Sequence, residues 1–418
     1  MRAVIMAGGK GTRLVAITKN EIPKPMVPIL GRPLLERQIE VLRNNGICDI
    51  IMVIGYLGDK IREYFSDGSA WGIRIRYLQE EEPLGTAGSF YYLKELLKEE
   101  PFLLVFGDVL FDIDICRMEA FHRSRQAAAT LFVHPNSHPF DSDLVTVDPQ
   151  GKVTGFDSKH NIRNYDYENC VNAGLYILDP SVCDLVDTPQ KRDLEKDILT
   201  GLVKSGRAVY GYRSPEYIKD IGTEERIARA ACDIRSGFII KKCLKHRQRG
   251  IFIDGDMVLA GCGMENENEA GMEAALPAVN VLEKLNQSAF LSFIIVKEPY
   301  VSGENRQEQK REFLRKRIST LLGSRGVFVD EILFCTHYSD EDSIKEAFGK
   351  AAKQYHLDLP ACWVLGNVPE ILFCGKHAGL KTALIAGKIT GGDGASYKIP
   401  ELICHDLNGA VKQILEES

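Results

Sequence analysis

The first residues of the chain that could do chemistry form a glycine-rich turn followed by an arginine. Their types and spacing suit the binding of phosphate groups. Residues 6–14 read MAGGKGTRL, and Gly8, Gly9 and Gly11 would let the backbone approach a ligand closely. Successive backbone N–H groups in such a turn bind phosphate oxygens, and the guanidinium of Arg13 also suits phosphate. The spacing matches neither a Walker loop nor a dinucleotide-binding fingerprint. A strand-to-helix turn that simply needs glycine is the alternative interpretation.

One lysine and two aspartates follow in a suggestive order. Lys24 lies between two prolines in IPKPM, so its backbone is stiff and little entropy is lost when it binds a charged ligand. Asp108 ends the apolar run FLLVFGD, and open α/β sheets bind ligands at the carboxyl ends of strands. Asp220 precedes a glycine in YIKDIGT. Singly, these would be a surface lysine and turn residues. In one chain, they indicate a site for a phosphorylated ligand.

These motifs, with EEPLGTAG at 81–88 and VNAGLYIL at 171–178, resemble the sugar-1-phosphate nucleotidylyltransferases over roughly residues 1–235. In that family a sugar-1-phosphate oxygen attacks the α-phosphorus of an NTP and pyrophosphate leaves. The resemblance implies that Asp108 and Asp220 hold Mg²⁺ between the phosphates, which suits carboxylate chemistry. It also implies that Arg13 binds the β- and γ-phosphates and that Lys24 stabilises the pentacoordinate phosphorus.

The resemblance also implies which residues meet the base. A carboxylate can accept hydrogen bonds from both N–H donors of guanine, so Glu80 favours GTP, although Glu80 to Glu82 could equally be a solvated face. The implied nucleotide-binding set is Ala7, Gly8, Gly9, Gly11, Thr12, Arg13, Lys24, Glu80, Gly85 and Thr86.

The sugar side departs from the hexose pattern of the family. Where the family usually has Glu-Lys-Pro, residues 158–160 read SKH, so Lys159 keeps the position that meets the sugar phosphate and Ser158 replaces a glutamate. Asn172 and Gly174 should also face the sugar. The segment HPNSHPFDSDLV at 134–145 is longer and more polar than the family's strand entry.

The second half of the chain contains another pair of carboxylates at the end of an apolar run. FIDGDMVL places Asp254 and Asp256 one residue apart, an arrangement that can hold a metal and attack a phosphate. Residues 250–418 resemble the haloacid dehalogenase superfamily, most closely its phosphatases for heptose bisphosphate. That resemblance implies an aspartate nucleophile and a general acid at these two positions.

Other parts of the phosphatase motif set are missing. Met257-Val258 replaces Gly-Thr, and the second strand ends with Val296 and Lys297 where Thr or Ser binds phosphoryl, while Ser292 lies too early. Lys345 lies near the expected lysine but out of register, Asn367 and Ile371 replace metal-binding aspartates, and only Cys335 and His337 remain of a zinc loop. We therefore interpret Asp254 and Asp256 as a vestigial phosphatase site, unless the motifs of a divergent chain have been misaligned.

Alternating apolar runs and amphipathic segments predict the elements that position these residues. The fold class is α/β, with a Rossmann-like, GT-A-like nucleotidyltransferase domain on a mainly parallel mixed sheet, followed by a second Rossmannoid, haloacid dehalogenase-like domain. The predicted division is 1–235, a basic linker helix at 236–248, and 249–418, with 262–271 as a solvated loop. Predicted first-half strands are 3–7, 49–56, 73–79, 102–108, 129–134, 143–148 and 171–178, with helices 33–46 and 86–99. Predicted second-half strands are 250–254, 290–296, 331–335, 361–365 and 381–385, with helices 272–287, 306–323 and 341–356.

The composition of the chain limits the kinds of partner and the location that we expect for the protein. The net charge of −6 gives no support for a nucleic-acid or anionic-membrane partner, and no apolar run approaches a membrane span. The eleven cysteines occur without a C-x-x-C pair, and the N-terminal apolar stretch is too short for a secretory signal, so we expect reduced thiols and a cytoplasmic location. The expected partners are an NTP and a sugar 1-phosphate, and a homo-oligomer is compatible with the sequence.

The fused phosphatase-like frame favours a heptose 1-phosphate and GTP as substrates, for a nucleotide sugar used in surface polysaccharide synthesis. A mannose- or glucose-1-phosphate nucleotidylyltransferase is the first alternative, and a bifunctional transferase and sugar phosphatase is the second. A metal-dependent glycosyltransferase is a third, because FDIDI at 111–115 contains a D-x-D motif. The second half could also be a non-catalytic scaffold.

Overall fold

The computed structural model describes residues 1–11, 14–97, 100–259, 276–297, 303–336, 341–386 and 400–417. The chain forms two compact units, and the N-terminal half contributes segments to both of them. The first unit comprises Met1–His134, Val145–Asp157 and Asn172–Lys245, and the second comprises Pro135–Leu144, Ser158–Val171 and His246–Ser418. The predicted functional division at 236–248 stays a prediction.

The strands described before residue 246 are short and mostly apolar. They are β1 Arg2–Met6, β2 Pro28–Ile29, β3 Arg32–Pro33, β4 Asp49–Ile54, β5 Arg74–Gln79, β6 Phe102–Phe106, β7 Val109–Asp112, β8 Ala129–His134, β9 Leu144–Val147, β10 Val153–Asp157, β11 Val171–Leu178, β12 Val209–Arg213 and β13 Tyr217–Asp220. The described part of the main sheet has the order β10-β9-β11-β6-β1-β4-β5, and β8 pairs with both β11 and β12.

The main sheet is mixed. β1 is parallel to β4 and β6, β4 is parallel to β5, and β11 runs antiparallel to β6. Ile5, Ile50 and Val105 are fully buried in its core, which is why these runs are almost continuously apolar. The α-helices described alongside this sheet are Val15–Thr18, Leu34–Asn44, Gly58–Phe65, Phe90–Leu93, Ile115–Ser124, Thr200–Lys204, Glu224–Arg235 and Phe238–Lys241. The prediction of a mainly parallel mixed sheet is confirmed for the first unit.

Two predicted helices are shorter in the structure. Among the described residues, the helix predicted at 86–99 covers only Phe90–Leu93, and the segment before it is tied to Arg192, whose carbonyl accepts from the backbone N–H groups of Thr86 and Ala87. The linker helix predicted at 236–248 covers only Phe238–Lys241. Gly237 has φ +69° and separates this turn from the preceding helix, since a left-handed residue ends an α-helix.

The second unit is built on a parallel sheet in the order β16-β15-β14-β17-β18-β19. Its described strands are β14 Gly250–Asp254, β15 Leu291–Lys297, β16 Glu331–Cys335, β17 Trp363–Gly366, β18 Lys381–Ile385 and β19 Leu402–Cys404. Its α-helices are Gly255–Val258, Leu276–Asn286, Glu304–Ser324, Glu341–Tyr355, Pro369–His377 and Leu407–Glu416. Ile251 and Ile253 pack in one apolar cluster and Phe252 in another, so β14 is buried on both faces. The loop predicted at 262–271 lies outside the described residues.

Within the second unit, the segments 135–144 and 158–171 lie against the helix Glu304–Ser324. Tyr167 N donates to Thr320 Oγ1 at 2.8 Å, and that hydroxyl donates back to Tyr167 O at 3.2 Å. A Cβ built on Gly323 would lie 2.5 Å from Pro139 Cγ. The helix therefore anchors two segments that precede it in the chain by more than a hundred residues.

Among the described residues, none of the helices combines the length and the apolarity needed to span a bilayer. The described cysteines are free thiols.

Candidate functional site

The first site pairs Lys24 with Asp108. Lys24 starts the 3₁₀ turn Lys24–Met26 directly after Pro23, and its Nζ forms an ion pair with Asp108 Oδ2. Both side chains are partly shielded, at 11% and 30% exposure. The pair can form because Gly107 admits the neighbouring proline: a Cβ at Gly107 would lie only 2.9 Å from Pro25 Cγ. A cation and a carboxylate thus meet at the carboxyl end of β6.

Asp220 is brought to the same place by backbone pairing. β13 runs antiparallel to β7 with Asp220 opposite Val109, and Ile221 N donates to Asp108 O at 2.7 Å. The buried side chain of Gln38 donates to the carbonyls of Phe106 and Val109, on either side of Asp108. The structure therefore brings together two aspartates that lie more than a hundred residues apart in the sequence.

The glycine-rich turn lies against this pair. Gly11 has φ +61°, and a Cβ there would come within 2.7 Å of Lys24 Cβ, so only glycine allows this contact. Ala7 N donates to Val53 O at 2.8 Å and Tyr56 N donates to Gly8 O at 3.3 Å, which fix the turn after β1. Gly9 is exposed. The predicted residues Thr12 and Arg13 lie outside the described residues.

Glu80 is a half-buried carboxylate beside the glycine-rich turn. A Cβ built on Gly8 would lie 3.1 Å from Glu80 Oε2. Oε1 is buried and has no hydrogen-bond partner among the residues that the structure describes. Burial raises the pKa of Glu80 to about 7, and the backbone N–H of Leu84 partly opposes that rise. The position therefore suits a ligand that brings N–H donors to the carboxylate.

Gly85 and Thr86 form a loop that is fastened to a distant turn. Gly85 has φ +76° and forms a bridge with Arg192, whose carbonyl would lie 2.4 Å from a Cβ at Gly85. Thr86 Oγ1 accepts a hydrogen bond of 2.7 Å from Leu194 N. In this structure, the Thr86 hydroxyl oxygen therefore fixes the loop, while its hydrogen can still be donated.

On the sugar side, the predicted residues divide between the two units. Asn172 and Gly174 lie on β11 in the first unit, and Gly174 has φ +76°. Ser158 and Lys159 belong to the second unit, where Lys159 N donates to Asp143 Oδ1 at 3.0 Å and Ser158 Oγ accepts from His160 N at 3.3 Å.

A divalent cation fits the donors at Asp108 and Asp220. No cluster of three or more His, Cys, Asp or Glu side chains that could hold a metal occurs in the described part of the chain. Two carboxylates are nevertheless an adequate protein contribution for Mg²⁺, which keeps several waters and takes further oxygens from substrate phosphates. Each aspartate is neutralised by a cation in this structure, Asp108 by Lys24 and Asp220 by Arg226.

In the second unit, the two predicted carboxylates lie at the end of β14. Asp254 is fully buried and its Oδ1 accepts from Asp256 N at 3.0 Å, so this side chain caps the helix Gly255–Val258. Lys297 Nζ lies 2.5 Å from Asp256 Oδ2. A lysine at the end of β15 therefore neutralises the carboxylate that was predicted to be the former general acid.

Most of the other residues at the predicted phosphatase positions are buried or half-buried in the second unit. Ile371 is fully buried, and its Cγ2 lies 2.6 Å from a Cβ built on Gly366, at the end of β17. Ser292 is buried and contacts Asp330 through both its N–H and its hydroxyl. Cys335 is buried, and His337 lies outside the described residues. Lys345 lies half-buried on the helix Glu341–Tyr355.

The second aspartate of the D-x-D motif at 111–115 has a structural role. Asp114 is the N-cap of the helix Ile115–Ser124 and accepts a hydrogen bond from Arg117 N at 3.3 Å. Its own N–H donates to Glu216 Oε1 at 2.7 Å. Since Asp114 caps a helix, the motif gives little support to a glycosyltransferase.

Three residues at the site were missed by sequence reasoning. Arg226 pairs with Asp220, Glu195 accepts a hydrogen bond from Asn172 at 2.8 Å, and Arg192 holds the Gly85 loop through its backbone. Arg226 lies in the first turns of the helix that follows DIGT, so its spacing from Asp220 was a usable signal. Glu195 and Arg192 lie in a stretch without a recognisable motif, so no pattern pointed to them.

Comparisons with known proteins show which family the first half of the chain resembles. A family model described as nucleotidyl transferase matches residues 2–237. The chain is 32% identical over 261 residues to mannose-1-phosphate guanylyltransferase of Mycobacterium tuberculosis, which covers 62% of this chain and 72% of that protein. It is 33% identical over 228 residues to D-glycero-alpha-D-manno-heptose 1-phosphate guanylyltransferase of Campylobacter jejuni, covering 54% and 96%.

Two further similar proteins differ in how much of their own length is matched. UTP–glucose-1-phosphate uridylyltransferase of Synechocystis is 33% identical over 235 residues, which is 53% of this chain and 60% of that protein. A solved structure described as a putative glucose-1-phosphate thymidylyltransferase from Bacillus anthracis shares the fold, with a TM-score of 0.50 and 20% identity over 56% of this chain and 95% of that one.

Proposed function

Since the chain belongs to the nucleotidyl transferase family, we propose that it joins a heptose 1-phosphate to GTP, giving a nucleotide sugar and pyrophosphate. The similar proteins described above are sugar-1-phosphate nucleotidylyltransferases, so the predicted class of enzyme is confirmed. The choice of sugar and of nucleotide is the proposal. The observation that carries the choice of nucleotide is the half-buried carboxylate of Glu80, whose buried Oε1 has no hydrogen-bond partner among the described residues.

Two polyanions have to approach each other in this reaction, and the paired residues suit that task. Asp108 and Asp220 would hold Mg²⁺, which when bound neutralises phosphate charge and the leaving pyrophosphate. Lys24 is held against Asp108 by a stiff backbone and would stabilise the charge that develops on the α-phosphate. The turn at Gly8 to Gly11 would supply backbone N–H groups to the triphosphate, together with Arg13.

The choice of guanine is supported by Glu80. Guanine presents an N–H and an amino group on one edge, and a carboxylate can accept from both. A buried oxygen of Glu80 without a partner among the described residues suits those donors. Adenine, which lacks the N1–H donor, would leave this carboxylate less satisfied. Two of the relatives are named guanylyltransferases and one a uridylyltransferase, so the family uses different bases.

The choice of heptose is supported by the relative from Campylobacter jejuni, because the match spans 96% of that protein. The replacement of the family's Glu-Lys-Pro by Ser158-Lys159-His160 also departs from a hexose site. Mannose 1-phosphate is the second candidate, since the mycobacterial relative is named for it. Within the first unit, Asn172 and Gly174 would meet the sugar.

A substrate panel tests this proposal. Pyrophosphate release should be fastest with GTP and a D-glycero-D-manno-heptose 1-phosphate, slower with mannose or glucose 1-phosphate, and slow with ATP, UTP and CTP. Lys24→Ala, Asp108→Asn and Asp220→Asn should each lower kcat by about 10²–10³, and chelation of divalent cations should abolish turnover. Lys204→Ala, at an exposed position at the end of the helix Thr200–Lys204, is the control. Equal or faster turnover of a hexose 1-phosphate would reject the heptose assignment.

For the second unit, we propose a structural role in place of phosphatase chemistry. Lys297 neutralises Asp256, and a buried isoleucine, Ile371, occupies a position where a phosphatase of this type needs a carboxylate. The unit also contains the segments 135–144 and 158–171 and holds them in place, which is a structural role that needs no catalysis.

A further inference from the structure

The side chain of Asn172 is held by two partners that use both of its amide hydrogens. Its Nδ2 donates to Tyr176 OH at 2.8 Å and to Glu195 Oε2 at 2.8 Å. Among the residues that the structure describes, its Oδ1 accepts only a long contact of 3.3 Å from Gly174 N, so this oxygen retains capacity for another donor. The amide therefore presents its oxygen, and not its nitrogen, to further ligands.

Only one of these partners can fix that orientation. The oxygen and nitrogen of an asparagine amide have nearly the same shape, so the hydrogen bonds decide which way the group points. A tyrosine hydroxyl can donate or accept and would tolerate either orientation, whereas a carboxylate only accepts. Burial raises the pKa of Tyr176, and the charge of Glu195 raises it further, so the phenol keeps its proton. Glu195 is thus the partner that forces Nδ2 toward itself.

Glu195 is itself rigidly placed. It lies in the helical turn Leu194–Leu199, which Asp193 caps by accepting from Glu195 N and Lys196 N at 3.0 and 2.9 Å. Thr200 Oγ1 donates to Glu195 O at 2.8 Å. The same turn donates from Leu194 N to Thr86, so it is joined to the loop proposed for nucleotide binding. A carboxylate held in this way orients Asn172 before any substrate binds.

We propose that Glu195 is a specificity-determining positioning residue, which fixes the Asn172 amide so that Oδ1 accepts a hydrogen bond from a hydroxyl of the sugar. This inference rests on the proposed function, because it assumes that Asn172 faces the sugar 1-phosphate. Glu195 acts through Asn172 and has no direct role in the transfer of the nucleotidyl group. A sugar that lacks the matching hydroxyl would leave the Asn172 oxygen without its donor.

Steady-state kinetics of Glu195→Gln test this role. Glutamine has nearly the same shape but can donate as well as accept, so the amide of Asn172 is no longer forced into one orientation. We expect KM for the sugar 1-phosphate to rise about five- to tenfold, the effect of one neutral hydrogen bond, while KM for GTP changes less than twofold. Asn172→Ala should raise the same KM by at least as much.

The double variant shows whether the two residues act as one unit. If Glu195 acts only through Asn172, Glu195→Gln combined with Asn172→Ala should be no worse than Asn172→Ala alone. Glu119→Gln, at a half-buried carboxylate that pairs with Arg123 on the helix Ile115–Ser124, is the matched control and should leave both KM values unchanged. Thermal melting of each variant separates a loss of stability from a loss of positioning.

Two results would overturn the inference while the proposed function stands: an unchanged sugar KM in Glu195→Gln, or effects of the two substitutions that multiply in the double variant. Absence of nucleotide-sugar synthesis by the wild-type chain with GTP and every sugar 1-phosphate tested would instead reject the proposed function.

Discussion

At the scale of single residues, the surroundings of Glu80 explain how one carboxylate can distinguish bases. A carboxylate oxygen that is buried without a partner among the described residues is costly when ionised, which is why burial raises the pKa of Glu80 to about 7. A ligand that supplies N–H donors removes part of that cost. The selectivity for guanine would thus arise from a group that is poorly satisfied in the free protein.

This arrangement predicts that GTP binding depends on pH. Guanine donors stabilise ionised Glu80, so GTP affinity should rise as pH increases through about 7 and then level off, about tenfold between pH 6 and pH 8. Fluorescence titration with a GTP analogue labelled on the ribose measures this. Glu80→Gln should bind GTP more weakly and show a much flatter profile. An unchanged slope in Glu80→Gln would show that another group, such as a phosphate, titrates.

Protonation of Glu80 also affects the stability of the fold, and here the dependence on pH has the opposite sign to that of GTP affinity. The pKa of Glu80 is higher in the folded chain than in the unfolded chain. Between about pH 4.5 and pH 7, the folded chain therefore holds a proton on this carboxylate that the unfolded chain has largely lost. The contribution of this group to the free energy of unfolding therefore decreases as pH rises through that window. Denaturant unfolding of wild type and Glu80→Gln at pH 5 and pH 8 should show this difference.

At the scale of elements, strands were easier to predict than the turns that position the site. β11 has the predicted bounds 171–178 and β14 the predicted bounds 250–254, because each strand contains an apolar run, LYIL in β11 and IFI in β14. In place of the first turn of the helix predicted at 86–99, the chain is bonded to Arg192, a residue about a hundred positions later. Local sequence contains no sign of such a partner.

The site shows the same contrast. Lys24, Asp108 and Asp220 carried motifs that could be read from the sequence, and the structure brings their backbones or side chains together. Glu195 carried none, since its importance depends on its position opposite Asn172 across the fold. The residues that orient ligand-binding groups are therefore harder to predict than the groups themselves.

The bridge between Gly85 and Arg192 predicts that a side chain at position 85 will disturb the loop. In Gly85→Ala, the Cβ would meet the carbonyl of Arg192 at 2.4 Å, and φ +76° is unfavourable for alanine. We expect a loss of about 1–3 kcal/mol in the free energy of unfolding and a several-fold rise in KM for GTP. Urea unfolding and initial rates measure the two effects.

Gly201→Ala is the matched control for that substitution. Gly201 is exposed in the helix Thr200–Lys204, and no described atom lies within 4 Å of its Cβ position. Alanine should stabilise this helix by up to about 1 kcal/mol and leave the kinetics unchanged. If Gly85→Ala behaved like Gly201→Ala, the bridge to Arg192 would not be holding the loop.

At the scale of the whole molecule, the chain combines a transferase region with a second unit that takes in segments from the first half. The hydroxyl of Thr320 binds both the N–H and the carbonyl of Tyr167, and Gly323 makes room for Pro139. These contacts stabilise the segment 158–171, where Lys159 lies, and they require no catalysis by the second unit. We therefore expect a structural role for that unit.

The last prediction follows from that view: the chain should not hydrolyse a sugar bisphosphate such as heptose 1,7-bisphosphate. Asp256 is neutralised by Lys297, and Asn367 and the buried Ile371 stand where metal-binding carboxylates are needed, so Asp254 has little help in holding Mg²⁺. Phosphate release with Mg²⁺ should equal that of Asp254→Asn, while both proteins keep the same transferase rate. Metal-dependent phosphate release that disappears in Asp254→Asn would make the protein bifunctional and the second unit an enzyme in its own right.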